Sequence, residues 1–174
     1  GDTSFRQTLT FSWSYPEVHL VINHLDSNAF ETFADPIADA LRDALKGSKS
    51  ALFTDSWEIK LNATNKIWTE GFEDRFEKTF DYDIIPYMEA GLDSIPEERY
   101  DYMLLLDKYV QEVFNQHYVK KCHELCAWSR VQCLASPTDV MTTYSLVDIP
   151  ETESMLNTHK YSRIVSSAAA QASK

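Results

Sequence analysis

Three short runs of the chain alternate apolar with polar residues, the period typical of a β-strand with one buried face. The runs are Leu9, Phe11 and Trp13; Val18, Leu20 and Ile22; and Trp57, Ile59 and Leu61. Pro16 lies between the first two runs, so they are predicted to form an antiparallel hairpin or meander. The third run predicts a further strand.

Other stretches repeat apolar residues every three or four positions, which predicts amphipathic helices. The first extends from Ser27 to about Gly47. Within it, Asp35 and Pro36 match an N-cap followed by proline, which predicts a short turn joined to a main helix. A later helix is predicted to start at a capping box that opens with Ser94, and its apolar face rotates near His117, where it bends or changes partner.

Four aromatic residues recur at intervals of four positions and would cover an arc of about 120° on a helix. They are Trp68, Phe72, Phe76 and Phe80. Such a stripe usually faces the core, but it could also form the wall of a groove or pocket. Both interpretations stay open at the level of the sequence.

The C-terminal part has weaker patterns. Residues 140–147 are rich in threonine and predict a strand, residues 150–165 predict a helix, and residues 166–174 contain nothing large to bury. We therefore predict one compact domain over residues 1–165, with a frayed or disordered tail at 166–174. The predicted fold class is α+β, with N-terminal antiparallel strands, amphipathic helices packed on them, and more helix than strand.

Negative charge is concentrated in one region. Residues 70–107 contain 12 Asp or Glu against three basic residues, and this segment holds −9 of the net charge of −11. Because local fields accelerate encounter and select partners, the clustering favours binding to a basic protein. The predicted acidic face consists of Glu70, Glu73, Asp74, Glu77, Asp81 and Asp83.

Composition also argues against several classes of function. Four glycines are too few for a phosphate-cradling loop or a dinucleotide fingerprint, so no cofactor is predicted. The acidic pI of about 4.8 argues against direct binding of nucleic acid. No apolar run is long enough to span a membrane. Cys122, Cys126 and Cys133 do not have the spacing of a zinc site or a disulfide framework, so we predict no metal, reduced thiols and an intracellular setting, cytoplasmic or nuclear.

Two functions from different classes follow. The first is a non-catalytic interaction domain, regulatory or inhibitory, that binds a basic protein through the acidic face. The alternative is a small α+β enzyme or ligand-binding protein with an aromatic-lined pocket. The candidate wall of that pocket is Trp68, Phe72, Phe76, Phe80, His117 and Tyr118, and its candidate polar groups are Asp81, Asp83, His117 and Tyr118.

Overall fold

A computed structural model describes residues 7–9, 19–59, 67–153 and 159–173, with side chains left undescribed at 7–9, 19–21 and 159–161. Helices predominate, at 61%. In chain order the elements are β1 (Gln7–Leu9), β2 (His19–Val21), α1 (Ser27–Leu45), β3 (Ala51–Thr54), α2 (Phe72–Phe80), α3 (Ile85–Ala90), a 3₁₀ turn (Leu92–Ser94), α4 (Pro96–Tyr109), a π-helix (Val110–Asn115), α5 (Gln116–Glu124), β4 (Trp128–Gln132), α6 (Val140–Leu146), β5 (Ile149–Glu151) and α7 (His159–Gln171).

The predicted fold class is wrong, because the main sheet is parallel. Its order is β3-β4-β5, and both pairings run in the same direction. β1 and β2 do pair antiparallel, but they form a separate two-stranded ladder. The predicted third strand is also displaced: β3 ends at Thr54, and Trp57 and Ile59 lie in the loop that follows. β3 is only four residues long, and its exposed positions, Ala51 and Phe53, are themselves apolar, so the segment shows no alternation of apolar and polar residues in the sequence.

Helix α1 has the predicted extent but not the predicted internal break. It begins after Asp26, whose carboxylate accepts a hydrogen bond from the Asn28 amide at 2.9 Å. Pro36 lies inside the helix, where it removes one backbone donor. Asp35 does not cap a helix here. Its carboxylate instead accepts a hydrogen bond from the Lys121 ammonium on α5, at 2.8 Å.

The predicted long helix is present as α4, the π-helix and α5 in succession. It has no side-chain cap, because the Ser94 hydroxyl donates to the Gly91 carbonyl at 2.9 Å instead of reaching into the helix. The π-helix at Val110–Asn115 comes just before the predicted change of face at His117. It buries Gln111 and Asn115, two amide side chains that both bond to the Thr143 hydroxyl.

The C-terminal elements differ from the predictions. Residues 140–146 form helix α6, because the Asp139 carboxylate accepts from the Met141 amide and caps it. The segment predicted as helix opens with strand β5. Residues 166–171, predicted to fray, lie in α7, where Ala168 is fully buried against α6 and β4.

Candidate functional site

Carboxylates collect where the parallel strands end. The carboxyl ends of parallel strands share one edge of a sheet, and open α/β sheets bind ligands at that edge. Thr54 aligns with Val131, and Val131 aligns with Pro150. The residues just beyond this row carry the acids: Asp55 and Glu58 after β3, and Glu151 and Glu153 at the end of β5.

The loop after β3 is held by its own hydrogen bonds. Asp55 accepts from the Ser56 amide at 2.8 Å, and the Ser56 hydroxyl donates to Glu58 at 3.2 Å. Further along, the Ile59 amide donates to the carbonyl of Ala135 in the loop after β4, at 3.3 Å. Asp55 is therefore part of the turn, while Glu58 projects from a loop that is tied at both sides.

The two acids of β5 have different partners. Glu151 forms a salt bridge with the Arg130 guanidinium, so its charge is balanced. Glu153 accepts a hydrogen bond from the amide of the buried Gln132 at 2.8 Å. The Gln132 amide thereby orients the Glu153 carboxylate beside the strand ends.

A small cleft lies between the strand ends and the π-helix. It combines aromatic walls with amide, hydroxyl and carboxylate groups. Its lining includes Thr54, Asp55, Trp57, Phe114, Asn115, Gln132, Ser136 and Thr138. Its volume is only about 10 Å³, so it is a gap between packed side chains with no room for a small-molecule ligand.

A larger cavity of about 690 Å³ lies between α1, β3 and α5. Its walls are mainly aliphatic and aromatic, and Phe33, Ile37 and Phe53 remain exposed at its rim. Lys121 also borders it, but its ammonium group is already paired with Glu31 at 2.5 Å and with Asp35 at 2.8 Å.

The aromatic stripe belongs to the core. Phe72 and Phe76 are fully buried; Phe72 stacks on Tyr109 with ring centroids 5.4 Å apart. Trp68 and Phe80 are partly buried and pack against the same cluster. These rings therefore pack in the core of the fold. The sequence had left open the alternative that they form the wall of a pocket.

The other pocket candidates are separated from the stripe. Tyr118 lines the larger cavity, and burial raises the pKa of its hydroxyl. His117 lies 3.5 Å from the Glu31 carboxylate. Asp81 and Asp83 are exposed beyond the end of α2, where Asp83 accepts a hydrogen bond from the Ile85 amide. The structure therefore does not bring these four groups into one pocket with the aromatic stripe.

All six residues of the acidic face are exposed. Within the described part of the chain, none of Glu70, Glu73, Asp74 and Glu77 has a basic group within salt-bridge distance. The neighbouring Arg75 turns instead toward Glu112 and the Tyr109 ring.

The cysteines are free thiols. Burial raises the pKa of Cys122 to about 11 and that of Cys133 to about 12, so both stay protonated and unreactive near neutral pH. Cys126 is exposed. In the residues that the structure covers, no group of three or more His, Cys, Asp or Glu side chains could hold a metal ion. No helix in that same part is long and apolar enough to cross a membrane.

Asp148 joins α5, β4 and the start of β5 on the side opposite these acids along the strands. Its carboxylate accepts from the Ser129 amide at 2.8 Å and hydroxyl at 2.7 Å, and lies 2.8 Å from His123. Burial alone would raise the pKa of Asp148, but the bonds from Ser129 and His123 lower it overall.

We expect Asp148→Asn to reduce the free energy of unfolding at pH 7 by about 1–3 kcal/mol, because Ser129 would lose a charged acceptor. A lowered folded-state pKa adds stability above the unfolded value near 3.9, and this is lost as pH falls through the folded pKa. Urea unfolding of both proteins at pH 7 and pH 3 should therefore show the difference shrinking in acid. An equal difference at both pH values would contradict this, and Asp43→Asn, at an exposed site, is the control.

Sequence reasoning missed Glu58, Glu151 and Glu153. A usable signal was present, because Asp55 follows the segment Ala51–Thr54 and Glu151 is the last residue of the segment Ile149–Glu151. Using this signal required that both segments first be recognised as parallel strands.

No protein-family model matches the sequence, and no curated protein matches it. Among solved structures, the fold is similar to that of a rhamnosidase from Novosphingobium sp. PP1Y, with a TM-score of 0.59 and 21% sequence identity. The match covers 81% of this chain and 15% of the rhamnosidase chain, so this chain spans a small part of that protein's length. At this identity the similarity shows a shared fold.

Proposed function

We propose that this chain contributes carboxylates to a glycoside-hydrolysing site at the carboxyl ends of its parallel strands. The observation that carries the proposal is the placement of Glu58 and Glu153 on the loops that leave β3 and β5, at one edge of the sheet. Most glycosidases use a pair of Asp or Glu residues on either side of the scissile bond. The fold similarity to a rhamnosidase adds support and makes rhamnosides the first substrates to test.

In this proposal one carboxylic acid donates its proton to the glycosidic oxygen as the bond to the anomeric carbon breaks. The other carboxylate takes a proton from the attacking water, whose oxygen becomes bonded to the anomeric carbon. Glu153, oriented by Gln132, and Glu58, bonded by Ser56, fill these two positions. β4 separates their strands, so the two strand axes lie roughly 10 Å apart.

The direct test is hydrolysis of a panel of para-nitrophenyl glycosides that includes the α-L-rhamnoside. The release of nitrophenol measures the reaction. The proposal expects turnover of at least one glycoside, abolished when the site is mutated. Absence of turnover across the panel, together with no binding of the free sugars by NMR, would refute it.

A second candidate is the binding of a basic protein by the acidic face. It is supported by the exposure of its six carboxylates and by the lack of salt bridges at four of them within the described part. The exposed carboxylates would also be explained by a solvated helix face that serves solubility.

Reversing Glu70, Glu73, Asp74 and Glu77 to Lys should leave the fold intact, because exposed carboxylates on α2 and in the turn before it contribute at most about 1 kcal/mol each. Capture of basic proteins in a pull-down at low salt should fall, and capture by the wild-type protein should weaken at moderate salt. The control reverses Asp43 and Glu89, which are exposed elsewhere. Unchanged capture by the fourfold variant would exclude this face.

A further inference from the structure

Two stacked rings lie near the ends of β2 and β3, which do not pair with each other in the described part of the chain. His24 comes three positions after the end of β2, and Trp57 comes three positions after the end of β3. Their rings are stacked, with centroids 4.3 Å apart and planes inclined by 7°. In the described part of the chain β2 pairs with β1 and β3 pairs with β4, so the stack links two segments whose strands do not pair with each other.

A second ring also contacts His24. The Phe114 ring, from the π-helix, lies 4.9 Å from the His24 ring at an angle of 51°. Burial lowers the pKa of His24 to about 4, an effect only partly offset by a backbone hydrogen bond at Ile22. The imidazole is therefore uncharged at neutral pH and packs as an aromatic ring, without the desolvation cost of a cation.

This stack acts on the loop that carries Glu58. On one side of Glu58, Trp57 is held by the His24 ring; on the other, the Ile59 amide is held by the Ala135 carbonyl at 3.3 Å. Glu58 itself is exposed, and its recorded partner is the neighbouring Ser56 hydroxyl. The side chains of Trp57 and Ile59 also pack against the core cluster, so the His24 stack is one of several contacts that hold the loop on either side of Glu58.

We propose that His24 is a positioning residue, whose ring stacks on Trp57 and fixes the loop that presents Glu58 at the strand ends. The ring contacts of His24 support this structural role by themselves. Its catalytic consequence rests on the proposed glycosidase function, because placement of a reacting group matters only where that group reacts.

The test compares His24→Ala, which removes the ring, with His24→Phe, which keeps a ring of similar size. Trp57 is followed by fluorine NMR of protein labelled with fluorotryptophan, its signal assigned by its loss in Trp57→Phe. Hydrogen exchange of the Ile59 amide reports the second anchor. His24→Ala should shift the Trp57 signal toward that of an exposed indole and accelerate exchange at Ile59, while His24→Phe should change neither.

The same variants are assayed on the glycoside that the wild-type protein hydrolyses. His24→Ala should lower kcat by up to about 100-fold with little change in KM, and His24→Phe should restore most of it. A global loss of fold would lower the apparent kcat without changing KM, so melting temperatures are measured and rates are compared at equal folded concentration.

The outcomes separate the two proposals. If His24→Ala leaves the Trp57 signal and the Ile59 exchange unchanged, the positioning inference is wrong whatever the activity. If both respond but kcat does not, His24 fixes the loop, but the inferred effect of this stack on catalysis is wrong. If no wild-type hydrolysis exists while both still respond, the glycosidase proposal fails and the role of His24 in fixing this loop stands.

Discussion

Replacing either Glu58 or Glu153 with Gln should lower kcat for glycoside hydrolysis by about 10²–10⁴-fold, because each variant removes a group able to transfer a proton in the transition state. Gln keeps the size of the side chain, so the Ser56 and Gln132 contacts retain a hydrogen-bonding partner. The melting temperature should hardly change. The measurement is the release of nitrophenol under saturating substrate, with the variants compared at equal folded concentration.

The matched control is Glu89→Gln, an exposed carboxylate on α3 away from the strand ends. It should retain full kcat. If Glu58→Gln and Glu153→Gln also retain full kcat, these carboxylates are not the reacting pair, even if the protein proves to be a glycosidase. A loss confined to one of them would keep that residue and direct the search for its partner to Asp55 and Glu151.

Truncating Phe76 to Ala should lower the free energy of unfolding by about 3–5 kcal/mol, because it empties a fully buried aromatic position. The Phe76 ring contacts Phe80 at 4.6 Å and Tyr82 at 5.1 Å between centroids, so the lost volume lies within a packed cluster. Urea denaturation followed by circular dichroism measures the loss.

Phe33→Ala is the control, because it removes the same ring from a site that is 52% exposed on α1. It should cost far less. If the two variants lose equal stability, Phe76 does not carry core packing. If the Phe76→Ala protein keeps its stability but no longer binds a ligand that the wild-type protein binds, the aromatic stripe forms a pocket wall.

The glycosidase proposal and the acidic-face proposal concern different surfaces. The first uses the loops that leave β3 and β5, and the second uses the exposed side of α2 and the residues just beyond it. Substitutions in one surface should therefore leave the other measurement unchanged, and effects of well-separated sites normally add. A glycosidase with an acidic docking face would satisfy both.

The sequence by itself determined the elements whose stabilising pattern is local. The period of α1, the stripe of α2 and the long helix after residue 95 are set by apolar residues three and four positions apart, which any helical conformation brings to one face. The exposure of Glu73, Asp74 and Glu77 followed from the same geometry, because they lie off the apolar face of α2.

Tertiary structure decided the sheet and the site. Ser129 and Gln132 are buried polar residues in β4, tolerated there because Asp148 and Glu153 accept their hydrogen bonds. Both partners are remote in sequence, so no local pattern could mark this strand as central. The grouping of Glu58 with Glu153 likewise depends on β3, β4 and β5 running parallel, which brings residues nearly a hundred positions apart to one edge, and on His24 meeting Trp57 across a contact between separate strands.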